Sequence, residues 1–233
     1  MAKSSSQAGK SIRHLAAKRK AKAILSFISA GLVAIAPSLL VNAFNNFLGE
    51  ISSLSDQAQD PVLQVSIYFY LLFFLITLGF IFNGFHLLKR ARHADQGAKG
   101  EEDTAQALRP LEREGWQIEY NLRLKGGLGD ADIVCTSPKK QTYAIDVKSH
   151  RGEVFTNGTQ LQRRMGHSTY PFEKDFLNGA MRQALQVKEQ KSLRFVTPIV
   201  AFSAAKVSVP PEKLRGVYVV ETAKLVVLLK ALG

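Results

Sequence analysis

One cysteine occurs in 233 residues, Cys135. A lone thiol excludes an internal disulfide framework and suits a reducing compartment. It sits in an apolar run and reads as a small core residue. No Cys/His cluster with zinc spacing is present: His86, His93, His150 and His167 are scattered, and His14 lies in a basic arm. That excludes a zinc-finger framework. No internal repeat occurs, so a solenoid is excluded as well.

Charge is missing from two long stretches, residues 23–49 and 61–88. Each exceeds the ~20 apolar residues that cross a bilayer. A removable leader has a shorter apolar region, about 7–15 residues. A soluble core helix is seldom apolar on all its sides. The second stretch is the denser, through Tyr68-Phe69-Tyr70-Leu71-Leu72-Phe73-Phe74-Leu75-Ile76; the first carries Pro37, Asn42, Asn45 and Asn46 in its second half.

The formal net charge is +12. Residues 1–93 carry +7 of it and residues 94–233 carry +5. Lys18, Arg19, Lys20 and Lys22 precede the first apolar stretch, and Lys89, Arg90 and Arg92 follow the second. The connection between them has Glu50, Asp56 and Asp60 and neither Lys nor Arg. Basic flanks stay on the cytoplasmic side. The expectation is therefore two spans in the inner (plasma) membrane, with both termini cytoplasmic and lipid contact at the basic runs. Only the +5 of the soluble part is left for nucleic acid.

The organisation that follows is a basic cytoplasmic arm (1–22), a first transmembrane helix (23–48), an external loop (49–61), a second transmembrane helix (62–88), a linker (89–99) and one soluble domain (100–233). In that domain a helix is predicted over 101–114, with Ala105, Leu108 and Leu111 as its buried stripe. Strands are predicted over 116–124, 132–136 and 142–147, with a glycine-rich turn at 125–129. A short strand at 153–155 and an Asn157-Gly158 turn follow. A helix over 174–191, strands at 197–203 and 216–220, and a helix over 222–232 complete the order. The fold class is α/β: a helical hairpin in the membrane, then a mixed sheet flanked by helices.

The chemistry-bearing residues lie in 130–148. Asp130, Asp132, Asp146 and Lys148 punctuate two apolar strands. Alternation puts Asp146 and Lys148 on one face, about 6.5–7 Å apart at Cα. Asp132, on the neighbouring strand, can share a cation with Asp146; Asp130 has the same face and can replace it. Mg²⁺ takes one or two carboxylates and keeps several waters. Lys148 can orient or deprotonate a water and offset charge on a phosphate. Glu101 stands four and seven residues before Ala105 and Leu108, so it looks along the buried stripe; Glu102 points away from it.

This pattern resembles the PD-(D/E)xK nuclease superfamily, and within it the nuclease-related domain, NERD. The residues that carry the resemblance are Gly100-Glu101, Asp132-Ile133-Val134, Ile145-Asp146-Val147-Lys148 with Gly152, Asn178, Gln183-Ala184, and Val196-Thr197-Pro198-Ile199-Val200. It covers roughly residues 99–205. It departs from the family in having Asp146 where Glu is usual, Gly179 after Asn178, and a diverged segment over 160–172. The resemblance implies a restriction-endonuclease-like fold and phosphodiester hydrolysis of DNA or RNA with Mg²⁺ or Mn²⁺. It implies Glu101, Asp132 and Asp146 as metal ligands, and Lys148 and Gln183 as catalytic partners. Arg163, Arg164 and Arg182 are candidate phosphate contacts and His150 a candidate substrate contact, while Trp116 and Tyr143 read as core. The competing expectation is an inactive nuclease-fold module that binds nucleic acid or serves as a membrane scaffold. A homo-oligomer through the hairpin is a further expectation.

Overall fold

The computed structural model describes residues 8–54, 67–125 and 129–233. Most of the expected external loop, the first residues of the second span, residues 1–7 of the arm and residues 126–128 of the glycine-rich turn lie outside the described residues. The chain divides into two compact units, Leu15–His93 and Met1–His14 with Ala94–Gly233.

The helical unit, Leu15–His93, is built from most of α1 (Lys10–Leu54) and the first part of α2 (Ile67–Arg113). Both helices are long and apolar enough to cross a membrane. Their packing is inverted relative to a water-soluble helix pair. Leu25, Leu32, Leu39, Leu72, Phe74 and Phe82 are exposed, whereas Ala16, Ala23, Ala30 and Ala91 are buried. Small side chains let two backbones approach, and polar groups then bond across the contact. Ser26 Oγ donates to the Phe80 carbonyl at 2.9 Å and accepts from Asn83 Nδ2 at 3.1 Å. Gly84 lies against the Phe27 ring, where any β-carbon would collide.

Residues 89–99, expected as a linker, are helical and belong to α2. Ala, Lys, Arg and Gln favour the helix strongly enough to carry it past Gly97 and Gly100. The end of α2 packs Ala105, Leu108 and Leu111 against the sheet, together with Leu225 and Leu229 of α4 (Thr222–Leu232).

Among the described residues, seven strands form one mixed sheet in the α/β unit: β1 (Gln117–Arg123), β2 (Asp130–Thr136), β3 (Thr142–Thr156), β4 (Leu161–Met165), β5 (Ser168–Pro171), β6 (Thr197–Ser208) and β7 (Tyr218–Glu221). The run β1 to β5 is antiparallel throughout. β6 lies parallel to β3 and to β7. The expected alternation holds at the centre. Ile133, Ile145 and Ile199 join the α2/α4 side; Val134 and Ala144 pack with Ala184 and Val187 of α3 (Phe176–Gln190).

Two elements differ from the sequence expectation. The strands at 142–147 and 153–155 are one strand, β3. The polar stretch Ser149-His150-Arg151-Gly152 reads as a loop, yet β6 holds it extended, with a register shift between Lys148 and Arg151. Residues 160–172 contain the β4–β5 hairpin, which no clear alternation announces.

Candidate active site

β3 has two different neighbours on one edge. Pairing with β2 ends at Ile133↔Ile145, and pairing with β4 begins at Glu153↔Arg164. On the other edge β6 runs alongside through both halves. Between residues 145 and 153 the sheet therefore forks, and Asp146 and Lys148 stand in the opening. Continuing the β2–β3 register by one step sets Asp132 opposite Asp146, on the same face. Asp132 Oδ2 accepts a hydrogen bond from Val147 N–H at 2.7 Å. A side chain thus satisfies the donor that the parting strand leaves open.

Lys148 Nζ donates to Asp146 Oδ1 at 2.6 Å. Asp146 is almost fully buried, and Lys148 keeps about 25% of its side chain exposed. Glu101 reaches the same fork from α2 and is also buried. Its Oε2 accepts from the backbone N–H of Gly9 at 2.9 Å, and Arg13 pairs with the adjacent Glu102. Gly100 allows this approach: a β-carbon there would strike Ser203 Oγ and meet Ser149 Cβ at 3.0 Å. Gly152, at the far side of the fork, has φ +97° and leaves no room for a β-carbon beside the Arg164 carbonyl.

Electrostatics couples these four groups. Burial raises the Asp132 carboxyl well above its ordinary range, and the charges of Asp146 and Glu101 raise it further. Burial raises Glu101 too, against the Gly9 hydrogen bond and the Lys148 charge. Burial alone would lower Lys148, but Asp146, Asp132 and Glu101 outweigh it and hold the ammonium protonated. Asp130 is exposed and contributes to the Glu101 environment from further off.

Gln183 is half-buried on α3. Among the described residues it makes no hydrogen bond to Asp132, Asp146 or Lys148. The position seven residues earlier on the same helix face is Phe176, and its ring lies 5.2 Å from Lys148 Nζ. Asn178 belongs to the helix start, where its N–H donates to Asp175 Oδ1 at 3.1 Å.

A second group beside Lys148 was not legible as a unit. His150 meets the Phe172 ring edge-on and the Phe176 ring at a tilt, at 5.1 and 5.4 Å between centroids. Arg163 Nη1 lies 3.4 Å from His150 Nδ1. Burial lowers the His150 pKa, and Arg163 and Lys148 lower it further. The aromatic pair Phe172 and Phe176, four residues apart, was the available signal. Arg164 instead pairs with Glu153 and covers the Phe155 ring. Arg182 is exposed. Trp116 and Tyr143 are core, as expected, with ring centroids 5.8 Å apart.

Residues 96–203 match the family model of the nuclease-related domain. The chain carries a NERD domain. Glu101, Asp132, Asp146, Lys148 and Gln183 all fall inside the match, and the helical unit falls outside it. No curated protein and no solved structure matches the chain.

Among the described residues, no three His, Cys, Asp or Glu side chains stand together as a finished metal-ligand set. The donor chemistry at the NERD fork nevertheless fits a hard divalent cation. It is all-oxygen, and such an ion needs only one or two carboxylates beside water and phosphate.

Proposed function

We propose that the NERD domain is a membrane-anchored, metal-dependent phosphodiesterase that hydrolyses DNA or RNA on the cytoplasmic side. The observation that carries this reading is the convergence of Glu101, Asp132 and Asp146 with Lys148 at a fork in the sheet. Hydrolysis adds water across one P–O bond, leaving a phosphate monoester and a hydroxyl. Asp132 and Asp146, joined by Glu101, would hold Mg²⁺ or Mn²⁺. A bound divalent cation supplies an acidified water and neutralises phosphate charge.

Lys148 does the complementary work. The surrounding acids keep it protonated, so it acts as a charge and hydrogen-bond donor toward the phosphate. That favours charge stabilisation over proton abstraction for this side chain. Asp146 aims the ammonium, and the Phe176 ring covers it on one side. Gln183 is proposed to contact a bound phosphate or its water from α3.

Anchoring rests on the two apolar helices and their outward-facing Leu and Phe side chains. Basic residues on both flanks support cytoplasmic termini.

A second reading has its own support. Asp146 is bound to Lys148, and no finished ligand set exists among the described residues. An inactive nuclease fold that only binds nucleic acid would have these features. The deciding experiment incubates the purified full-length protein with plasmid, single-stranded DNA and RNA, with Mg²⁺, Mn²⁺ or chelator. Metal-dependent product that disappears in both Asp146→Asn and Lys148→Ala supports the enzyme. Salt-sensitive binding without product supports the binding module.

A further inference from the structure

We infer that the α/β unit carries a second binding site, for a phosphorylated nucleoside, at the end of the sheet opposite the fork. A cavity of about 400 Å³ opens there, within the usual size range of small-ligand sites. It is lined by the first residues of β3, β6 and β7 (Thr142, Thr197 and Tyr218) and by three separate turns. Thr142 and Asp146 are four residues apart on β3, about 13 Å, so the site is distinct from the fork.

The turns bring three cations: Lys140 from the β2–β3 turn, Arg194 from the α3–β6 connection and Lys213 from the β6–β7 connection. Among the described residues, no Asp or Glu lines the cavity. Several other cations of the α/β unit are paired. Lys191 pairs with Glu119, Lys230 with Glu114 and Arg215 with Asp175. Among the described residues, Lys140, Arg194 and Lys213 have no such partner. Three unneutralised cations around one concavity repel each other until an anion enters, and Arg with Lys is the usual phosphate-binding pair.

The cavity also holds aromatic surface. Lys213 Nζ sits 5.8 Å from the Phe195 ring and 5.2 Å from the Tyr218 ring. Phe195 remains 62% exposed, so its ring is open to a ligand. A planar base stacks on such a ring at about 1–3 kcal/mol whatever its identity. Phosphate for the cations and a flat ring for Phe195 together define a nucleotide. Lys213 and Tyr218 lie beyond the residue-203 end of the NERD match, so the site is only partly built from the family's segment. The source of the ligand is either a free mononucleotide or one unit of a nucleic-acid strand.

Equilibrium dialysis of the full-length protein in detergent, without divalent metal, separates these. The probes are 5′-AMP, adenosine, inorganic phosphate and an eight-residue oligodeoxyadenylate. AMP is expected to bind, with adenosine and phosphate each weaker. Lys213→Ala and Arg194→Ala are each expected to weaken AMP by about tenfold. Phe195→Ala should weaken AMP and leave phosphate unchanged. Oligonucleotide binding without AMP binding, lost in the same variants, supports the site with a strand as its source. All three substituted residues are exposed, and an unchanged melting temperature certifies each variant. Absence of binding by both AMP and oligonucleotide overturns the inference, as does binding that Lys213→Ala and Arg194→Ala leave intact. AMP binding that falls in Asp146→Asn but not in Lys213→Ala places the ligand at the fork and overturns it equally. The inference is independent of cleavage: loss of nuclease activity in Asp146→Asn says nothing against it.

Discussion

The fork within strand β3 and the start of that strand carry opposite solutions to the same electrostatic problem. At the fork, three acids crowd around one lysine, and the charges are buried and compensated from within. At the start of β3, three cations face a cavity with no acid among its described lining residues, and the charges stay in solvent. Burial makes the difference. A buried charge needs a partner at once, so Asp146 and Lys148 are already paired. An exposed charge is tolerated alone, so Lys140, Arg194 and Lys213 remain available to a ligand. On the readings proposed above, the fork would hold a cation and the cavity an anion.

That contrast can be broken by substitution, and the largest effect is expected at the fork. Removing one preorganised charge from a hydrolytic site typically costs about 10²–10³ in rate. Lys148→Ala should reduce metal-dependent strand cleavage by that factor, read as initial rates on plasmid DNA. Full activity in this variant would sink the assignment of Lys148.

A metal titration sharpens the contrast next. At a concentration ~100 times its Kd, a bound ion stabilises the fold by about 2.7 kcal/mol. Mg²⁺ or Mn²⁺ should therefore raise the melting temperature of the wild type. The rise should vanish in Asp146→Asn and persist in Lys213→Ala. An equal rise in all three proteins would show the ions acting elsewhere.

Gly152→Ala attacks the fork through the backbone. Its φ of +97° and the neighbouring Arg164 carbonyl both oppose a β-carbon. The expected loss is roughly 1–3 kcal/mol, measured by urea denaturation. A neutral result would mean that β3 and β4 separate easily at this point.

The smallest effect concerns an ion pair at the start of α3. Asp175 caps α3 and binds Arg215 at 2.8 Å. Burial pushes its carboxyl up, but the Asn178 N–H and Arg215 outweigh this, so its pKa is lowered. A lowered carboxyl pKa adds stability above the unfolded-state value, and that stability is lost as pH falls through the native value. Asp175→Ala should cost about 1 kcal/mol near neutral pH. The difference from wild type should shrink in acid, below the ordinary Asp range. A gap that stays constant down to strongly acidic pH would assign the cost to packing instead.

Much of this was legible from residue patterns. The apolar runs marked both long helices. The stripe Ala105, Leu108 and Leu111 marked the buried face of α2's end, and alternation through Ile133-Val134 and Ala144-Ile145 marked the central strands. Asp132, Asp146 and Lys148 were candidates because strand periodicity puts them on one face. Other features had no local signature. Ser149 to Gly152 is polar and glycine-containing, so its extended conformation depends on β6, more than 50 residues away. The β4–β5 hairpin is exposed on β5 and lacks a hydrophobic alternation. The aromatic shelf of Phe172 and Phe176 needs α3 to dock before it meets His150 and Lys148.

Composition and periodicity by themselves determined the two apolar helices, the α/β character and the shared strand face of Asp146 and Lys148. These are properties of single segments, set by hydrophobic pattern and backbone geometry over a few residues. Only tertiary structure decided that β3 changes neighbours between residues 145 and 153, that Gly9 reaches Glu101, and that Lys140, Arg194 and Lys213 share one cavity. Those outcomes depend on contacts between segments far apart in the chain. No local preference encodes them, because their free energy exists only once the sheet has formed.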